Sequence, residues 1–280
     1  MNISLCTITF RHHLLSLEQI ADWASRNGFQ GIEIWGAHAQ NIPFASGHDG
    51  RWLAAFGLRV PMISDYLPLE NPAALSPKTT AVLHQARRWG SDNIRTFAGK
   101  TSSAVISVDD RAQITDALRM ACSQIADQGC NLLIETHPAT LADTLASTVQ
   151  LIEEVNHPAL SINFDALHVW EGGDDPVEAY KVLQPKIRNY HFKNIGHRTE
   201  LPVFGPDNIY NAAGSRQGIV PLFEGAMSYD GLLSELKDAP DAPISLEWFG
   251  GDVFNTLKRD CAALRQMVSQ GANTQLQHAS

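Results

Sequence analysis

Several apolar runs in this sequence stop at acids and imidazoles. Leu132-Leu133-Ile134 leads into Glu135-Thr136-His137; Ser161-Ile162-Asn163-Phe164 ends in Asp165, with His168 just beyond; Tyr190 precedes His191-Phe192-Lys193; and Ile244-Ser245-Leu246 delivers Glu247. Alternate residues of an extended chain share a face, so Glu135 lies with His137, and His191 with Lys193. A buried carboxylate without a partner costs several kcal/mol, whereas one divalent cation lets Glu135, Asp165, His191 and Glu247 converge on a point. The competing reading pairs each acid with an Arg or Lys, and it is stronger for any single residue than for four together at strand ends. Hard oxygen donors dominate the set, which favours Mn²⁺ or Mg²⁺, with Zn²⁺ or Co²⁺ able to occupy it.

Such a convergence needs strands that all end on one side. Short β-branched or apolar runs alternate with helical patterns along the chain, the signature of βα units around a parallel sheet. Eight strands are expected: Ile3–Phe10, Gly31–Trp35, Arg59–Ser64, Asn93–Phe97, Asn131–His137, Leu160–Asp165, Asn189–Lys193 and Ile244–Trp248. Helices are expected at Ser16–Asn27, where Ser16 can cap and Gly28 can terminate, at Asp109–Asp127 followed by Gly129, and at Val253–Val268. After the first strand comes Phe10-Arg11-His12-His13-Leu14. No glycine-rich phosphate loop stands there, so a closed barrel is preferred to an open doubly wound sheet. The expected architecture is a single (β/α)8 TIM barrel over residues 1–270, whose carboxyl-end mouth is where an active site forms. Residues 195–227 break the rhythm as a long Gly/Pro-containing loop, either a lid or a surface excursion or subunit-contact arm. Residues 271–280 read as a flexible polar tail. Between Gly36 and Arg59, Pro43, Gly47 and Gly50 leave room for only a truncated helix.

The bulk numbers agree with a globular enzyme. The chain has 280 residues, 44% hydrophobic and 18% charged, and 21 Lys plus Arg against 30 Asp plus Glu give a net charge of -9. That balance repels the backbone of nucleic acid. No apolar run approaches the roughly 18 residues of a membrane span, and the first residues do not form a signal peptide, so a cytoplasmic protein is expected. Cys6, Cys122, Cys130 and Cys261 are scattered, as buried thiols of a reduced compartment are.

The order Glu135, Asp165, His191, Glu247 resembles the metal sites of the xylose isomerase-like barrel superfamily. The flanking words narrow the resemblance: Ser4-Leu5-Cys6-Thr7-Ile8, Gly31-Ile32-Glu33-Ile34-Trp35-Gly36, Met62-Ile63-Ser64-Asp65-Tyr66-Leu67, Ile94-Arg95-Thr96-Phe97-Ala98-Gly99, Glu135-Thr136-His137-Pro138, His191-Phe192-Lys193-Asn194, Val220-Pro221-Leu222-Phe223-Glu224-Gly225 and Ser245-Leu246-Glu247-Trp248-Phe249. Together they are similar to the bacterial 3-dehydroshikimate dehydratases of petrobactin-type siderophore biosynthesis. The resemblance implies dehydration of 3-dehydroshikimate to protocatechuate, a catechol built into a siderophore. In that reaction a divalent cation acidifies the C–H beside a ketone, and a neutral imidazole removes the proton. His137, two residues after Glu135, is the first choice of base; His168 is the second, as base or as acid for the departing hydroxyl. Arg95 and Lys193 are expected to meet the substrate carboxylate, with pairing to a ligand carboxylate as their alternative role. Tyr66 and Tyr210 match substrate-side tyrosines. Trp170 and Trp248 are candidate apolar walls, while Glu33 and Trp35 share a strand face near the mouth, where packing alone explains them. The rival functions are a sugar isomerase or epimerase of the same superfamily, an endonuclease, which the charge disfavours, and a non-catalytic binding barrel. Association of copies of the chain stays open.

Overall fold

Parallel pairing of the apolar runs closes a sheet on itself. In the computed structural model, which describes residues 1–239 and 241–278, the barrel strands are β1 (Asn2–Cys6), β2 (Gly31–Trp35), β3 (Ile63–Ser64), β4 (Asn93–Thr96), β5 (Asn131–Glu135), β6 (Leu160–Asp165), β7 (Ile187–Phe192) and β10 (Pro243–Leu246). Their order around the barrel is β1-β10-β7-β6-β5-β4-β3-β2, and every pairing is parallel. The remaining strands, β8 (Asn194–Ile195) and β9 (Ile219–Val220), form an antiparallel ribbon apart from the barrel. Ile3, Leu5, Ile32, Ile34, Ile94, Leu132, Ile134, Phe164 and Ile244 are buried in one apolar core with the inner faces of the helices.

Each expected strand is present, and the larger differences are in the first and third strands. The first strand stops at Cys6 because Thr7–Phe10 turn into a 3₁₀ helix, where the Thr7 and Thr9 hydroxyls accept the amides of Trp35 (2.9 Å) and Trp248 (3.1 Å). Arg59–Ser64 shrinks to Ile63–Ser64, with Arg59 making only an isolated bridge to Gly31; Pro61 has no N–H to continue the ladder. Helix Leu17–Arg26 begins at a capping box, in which Ser16 Oγ accepts from Gln19 N and Gln19 reaches back to the Ser16 amide. Helix Val108–Ala126 is likewise capped by Ser107. Residues 36–54 hold only short helical pieces, Gly36–Asn41, Phe44–Ser46 and Gly50–Ala54. The last helix, Val253–His278, continues through most of the segment expected as a tail, whose final two residues, Ala279 and Ser280, lie outside the described residues.

The segment expected as an aperiodic loop has local order. The β8–β9 ribbon pinches its base, with Gly196 N donating to Gly218 O at 2.7 Å, and between the strands lie a 3₁₀ helix, Arg198–Phe204, and one helical turn, Pro206–Ile209. Gly218 has φ +81°, and a Cβ there would run into the Glu200 side chain, so the turn into β9 requires glycine.

Candidate active site

Register places the acids and imidazoles at one end of the barrel. Asp165 of β6 lies opposite His191 of β7, which lies opposite Ser245 of β10, and Glu135 of β5 lies opposite Asn163. Glu247 follows β10 directly, as Lys193 follows β7. One ligand atom from each of Glu135, Asp165 and His191 falls within 4.8 Å of the others. Glu247 belongs to the same cluster: its Oε1 is 3.6 Å from His191 Nδ1.

The orientation of His191 is set from behind. Its Nε2 donates to Glu33 at 2.9 Å (Oε2) and 3.1 Å (Oε1), and Glu33 also accepts from the Ser64 hydroxyl and the Cys6 thiol. The opposite nitrogen, Nδ1, is buried with no hydrogen-bond partner among the described residues, 3.5 Å from Glu135 Oε2. A neutral imidazole would aim its lone pair at two carboxylates, a repulsive arrangement unless a positive charge stands between. Without a metal that charge is a proton: burial lowers the His191 pKa, but Glu247, Glu33 and Glu135 outweigh it and hold the value well above the ordinary one. Four buried carboxylates, those of Glu33, Glu135, Asp165 and Glu247, face two fixed cations, Arg95 and Lys193. A divalent ion would balance the remaining two charges with His191 neutral, and a carboxylate behind a metal-binding imidazole is the usual second support. The residues present therefore fit a buried divalent cation.

Arg95 and Lys193 both pair with acids of the cluster, the role given above as their alternative to substrate contact. Lys193 Nζ donates to Asp165 Oδ2 at 2.6 Å and to Glu247 Oε2 at 2.8 Å, using two of its three protons. Arg95 Nε lies 2.9 Å from Glu135 Oε2, and its guanidinium sits 5.0 Å from the Tyr66 ring centre and 4.9 Å from that of Phe97. Burial lowers both basic pKa values, yet the facing carboxylates raise them further than burial lowers them. Arg95 Nη1 is still buried without a partner among the described residues, so one donor remains for a bound anion.

Two histidines face each other across the cavity with ring centres 4.5 Å apart. His137 Nδ1 is 2.7 Å from the Pro138 carbonyl, which can only accept, so the proton is on Nδ1 and Nε2 carries the lone pair. Burial, and then His168, push the His137 pKa down to about 3, keeping it neutral. His168 Nδ1 lies 2.7 Å from Glu171 Oε2, and its Nε2 is 3.8 Å from Asp165 Oδ2.

Of these groups, Arg95, Glu135, His137, His168, Lys193 and Glu247 border a cavity of about 50 Å³, far below the roughly 300–1,000 Å³ of ordinary ligand pockets. Phe204, Pro206, Ile209 and Tyr210 of the long segment contribute to its wall. Tyr66 and Tyr210 also line it, joined hydroxyl to hydroxyl at 2.8 Å, and Tyr210 stacks on Trp35. Trp170 and Trp248 do not line it; the apolar wall is Ile8, Phe97, Phe204 and Phe249, and Trp248 spends its indole N–H on Gly251 O. Arg11 Nε donates to Ile209 O at 2.7 Å, tying the segment to the first strand's turn. Glu33, read from the sequence as packing, is among the polar residues the sequence reading left out, with Ser64 and Cys6 that donate to it, Glu171 beside His168, and Asn163, whose Nδ2 donates to Glu135 Oε2 at 3.2 Å. Glu33 carried the same signal as the others, an acid inside an apolar strand.

A barrel closed by eight parallel strands, with a cation-ready carboxylate and imidazole cluster at its mouth, defines a class, and the comparisons agree with it. The xylose isomerase-like TIM barrel family model matches residues 21–267, and the chain belongs to that family. It is 44% identical over 272 residues to the 3-dehydroshikimate dehydratase of Bacillus anthracis, covering 94% of this chain and 96% of that protein. The crystal structure of the probable 3-DHS dehydratase AsbF, involved in petrobactin synthesis in B. anthracis, superposes with a TM-score of 0.91 at 44% identity, covering 95% of this chain and 99% of that one. A xylose isomerase-like TIM barrel protein from Mycobacterium smegmatis, solved with magnesium, shares the fold at a TM-score of 0.69 and 17% identity over 96% of this chain and 97% of that one.

Proposed function

We propose that this protein is a metal-dependent 3-dehydroshikimate dehydratase that forms protocatechuate. The observation that carries the reading is the fixed tautomer of His137, whose Nε2 lone pair is directed to a cavity shared with Arg95, His168 and the acid cluster. The activity of the B. anthracis relative supplies the substrate. Glu135, Asp165, His191 and Glu247 would hold one Mn²⁺ or Mg²⁺. When bound, the cation supplies Lewis-acid polarisation of the substrate ketone and its neighbouring hydroxyl.

The remaining work falls to side chains. His137 Nε2 takes the proton from the hydroxyl-bearing carbon beside the ketone, a contribution of about 10² to 10⁴ in rate. The hydroxyl one carbon further on leaves with a proton delivered by the facing His168, whose ring is oriented by Glu171. The substrate thus loses one water with no net change in enzyme protonation, and shift of a ring proton to the former ketone oxygen completes the catechol. Arg95 Nη1 receives the carboxylate, with Tyr66 and Tyr210 beside it, while Lys193 bridges the Asp165 and Glu247 carboxylates and presents its third proton to the cavity. Residues 195–227 act as a lid, because the roof they form over a 50 Å³ space must lift to admit a six-membered ring. Among the described residues no helix is long and apolar enough to cross a membrane, and a cytoplasmic supply of catechol for siderophore assembly fits the petrobactin role of the relative.

The test is ultraviolet detection of protocatechuate after mixing 3-dehydroshikimate with metal-free and with Mn²⁺-loaded protein. Metal-dependent product is expected; a loaded protein that leaves the substrate unchanged overturns the reading.

A further inference from the structure

His137 and His168 offer more than acid-base chemistry. Each ring is anchored through Nδ1, one to the Pro138 carbonyl at 2.7 Å and the other to the Glu171 carboxylate at 2.7 Å. Each neutral ring is left with its Nε2 lone pair free. Metal-binding histidines are held in this way, with the second nitrogen donating to a carbonyl or carboxylate that fixes tautomer and ring plane. One ligand atom from each of Glu135, His137 and His168 lies within 4.8 Å of the others. Both histidines also line a neighbouring cavity of about 360 Å³, whose lining includes neither Arg95 nor Tyr66 and which gives a solvent ion a path to them.

We infer that Glu135, His137 and His168 form a second cation site, selective for Zn²⁺ over Mn²⁺ or Mg²⁺. Two imidazoles and one carboxylate make a borderline-soft donor set, the kind that takes Zn²⁺ with a fourth position left to water. The cluster of Glu135, Asp165, His191 and Glu247 is harder, with three carboxylates, so the two sites divide the metals by ligand type. Glu135 is common to both and would bridge the ions, as a shared carboxylate does in two-metal centres with spacings of about 3.5–4 Å. An ion at the second site occupies the His137 lone pair, so Zn²⁺ inhibits the enzyme. That consequence rests on the dehydratase reading; the binding itself does not.

The experiment is a count of ions. Protein loaded with Mn²⁺ is titrated with Zn²⁺, freed of excess, and both elements are measured per chain, with catechol formation followed in parallel. The wild type is expected to retain its Mn²⁺ and gain one Zn²⁺, losing at least about tenfold in turnover, with recovery after brief chelation. His168→Gln is expected to gain none. Because that variant could fail to fold, Glu171→Gln serves as a second: it keeps both Nε2 ligands but should weaken Zn²⁺ by about 10- to 100-fold. Zn²⁺ that merely replaces Mn²⁺ ion for ion, or an equal Zn²⁺ count in wild type and His168→Gln, overturns the site. A loaded protein that makes no catechol sinks the dehydratase reading alone, since the one-ion difference between wild type and variant still decides the site.

Discussion

Replacing Glu33 by Gln tests whether the carboxylate behind His191 tunes the metal centre. Glu33 is fully buried, and its carboxylate accepts from His191 Nε2 at 2.9 Å. Burial raises its pKa, but the charge and hydrogen bond of His191 more than offset this and hold it down to about 2, so the charge is present at every ordinary pH. Glutamine has the same shape, and its carbonyl oxygen can still accept from Nε2 and from Ser64. What it removes is the charge. A hydrogen bond to a charged group contributes about 1.5–3 kcal/mol and a neutral one about 0.5–1.5 kcal/mol, so the exchange costs about 1–1.5 kcal/mol. With a neutral partner, Nδ1 is a weaker donor, and Mn²⁺ affinity should fall about tenfold, at the lower end of what loss of an outer support costs. Titration calorimetry of metal-free protein with Mn²⁺ near neutral pH gives the affinity, and a thermal melt of each metal-free protein controls for folding. An unchanged affinity in a folded Glu33→Gln protein would refute the argument that Glu33 supports the metal through His191.

Three further outcomes follow from the geometry. His137→Gln should reduce protocatechuate formation by about 10²- to 10⁴-fold while binding Mn²⁺ at the first site as before; a variant with near-normal turnover shows that His137 is not the base. Tyr210→Phe removes the hydroxyl contact with Tyr66 at 2.8 Å, which should favour lid opening by about 1 kcal/mol or roughly fivefold, seen as faster amide exchange confined to residues 198–218; unchanged exchange there speaks against the latch. Burial pushes Asp260 up to about 6, although the Leu222 amide donates to it. An acid raised in the folded state binds more protons there than in the unfolded chain, so its contribution is lost as pH rises from about 4 through 6, a cost of about 2–3 kcal/mol. Asp260→Asn keeps the acceptor and should melt about 5 °C higher than wild type at pH near 8 with little difference near pH 4; a pH-independent gain contradicts the assignment.

How much of this was legible in the chain follows from what each feature depends on. The strands could be read because apolar runs of strand length alternate with capped helical patterns, and a parallel sheet buried on both faces requires that composition. Glu135, Asp165, His191 and Glu247 stood out for a related reason: an ionisable group ending an apolar strand needs a partner, and four such groups need a common one. The cavity wall was not legible, since Trp170 and Trp248 are as apolar as Phe204 and Phe249, and only the path of the chain decides which of them faces the mouth. The same holds for the long segment, whose lack of period hid a pinched ribbon, a 3₁₀ helix and a helical turn, and whose far end is held by Asn194, which donates to Leu222 O and Met227 O.

Local sequence, then, determined the barrel and the donor types at its mouth, because periodicity, capping and the cost of buried charge act within a few residues. Tertiary structure decided what those donors do. Whether Lys193 and Arg95 meet a substrate or a ligand carboxylate, whether Glu33 packs or supports His191, and which nitrogen of His137 holds the proton all depend on atoms contributed by other strands or by the turn that follows, within about 3 Å, a range over which hydrogen bonds form or fail.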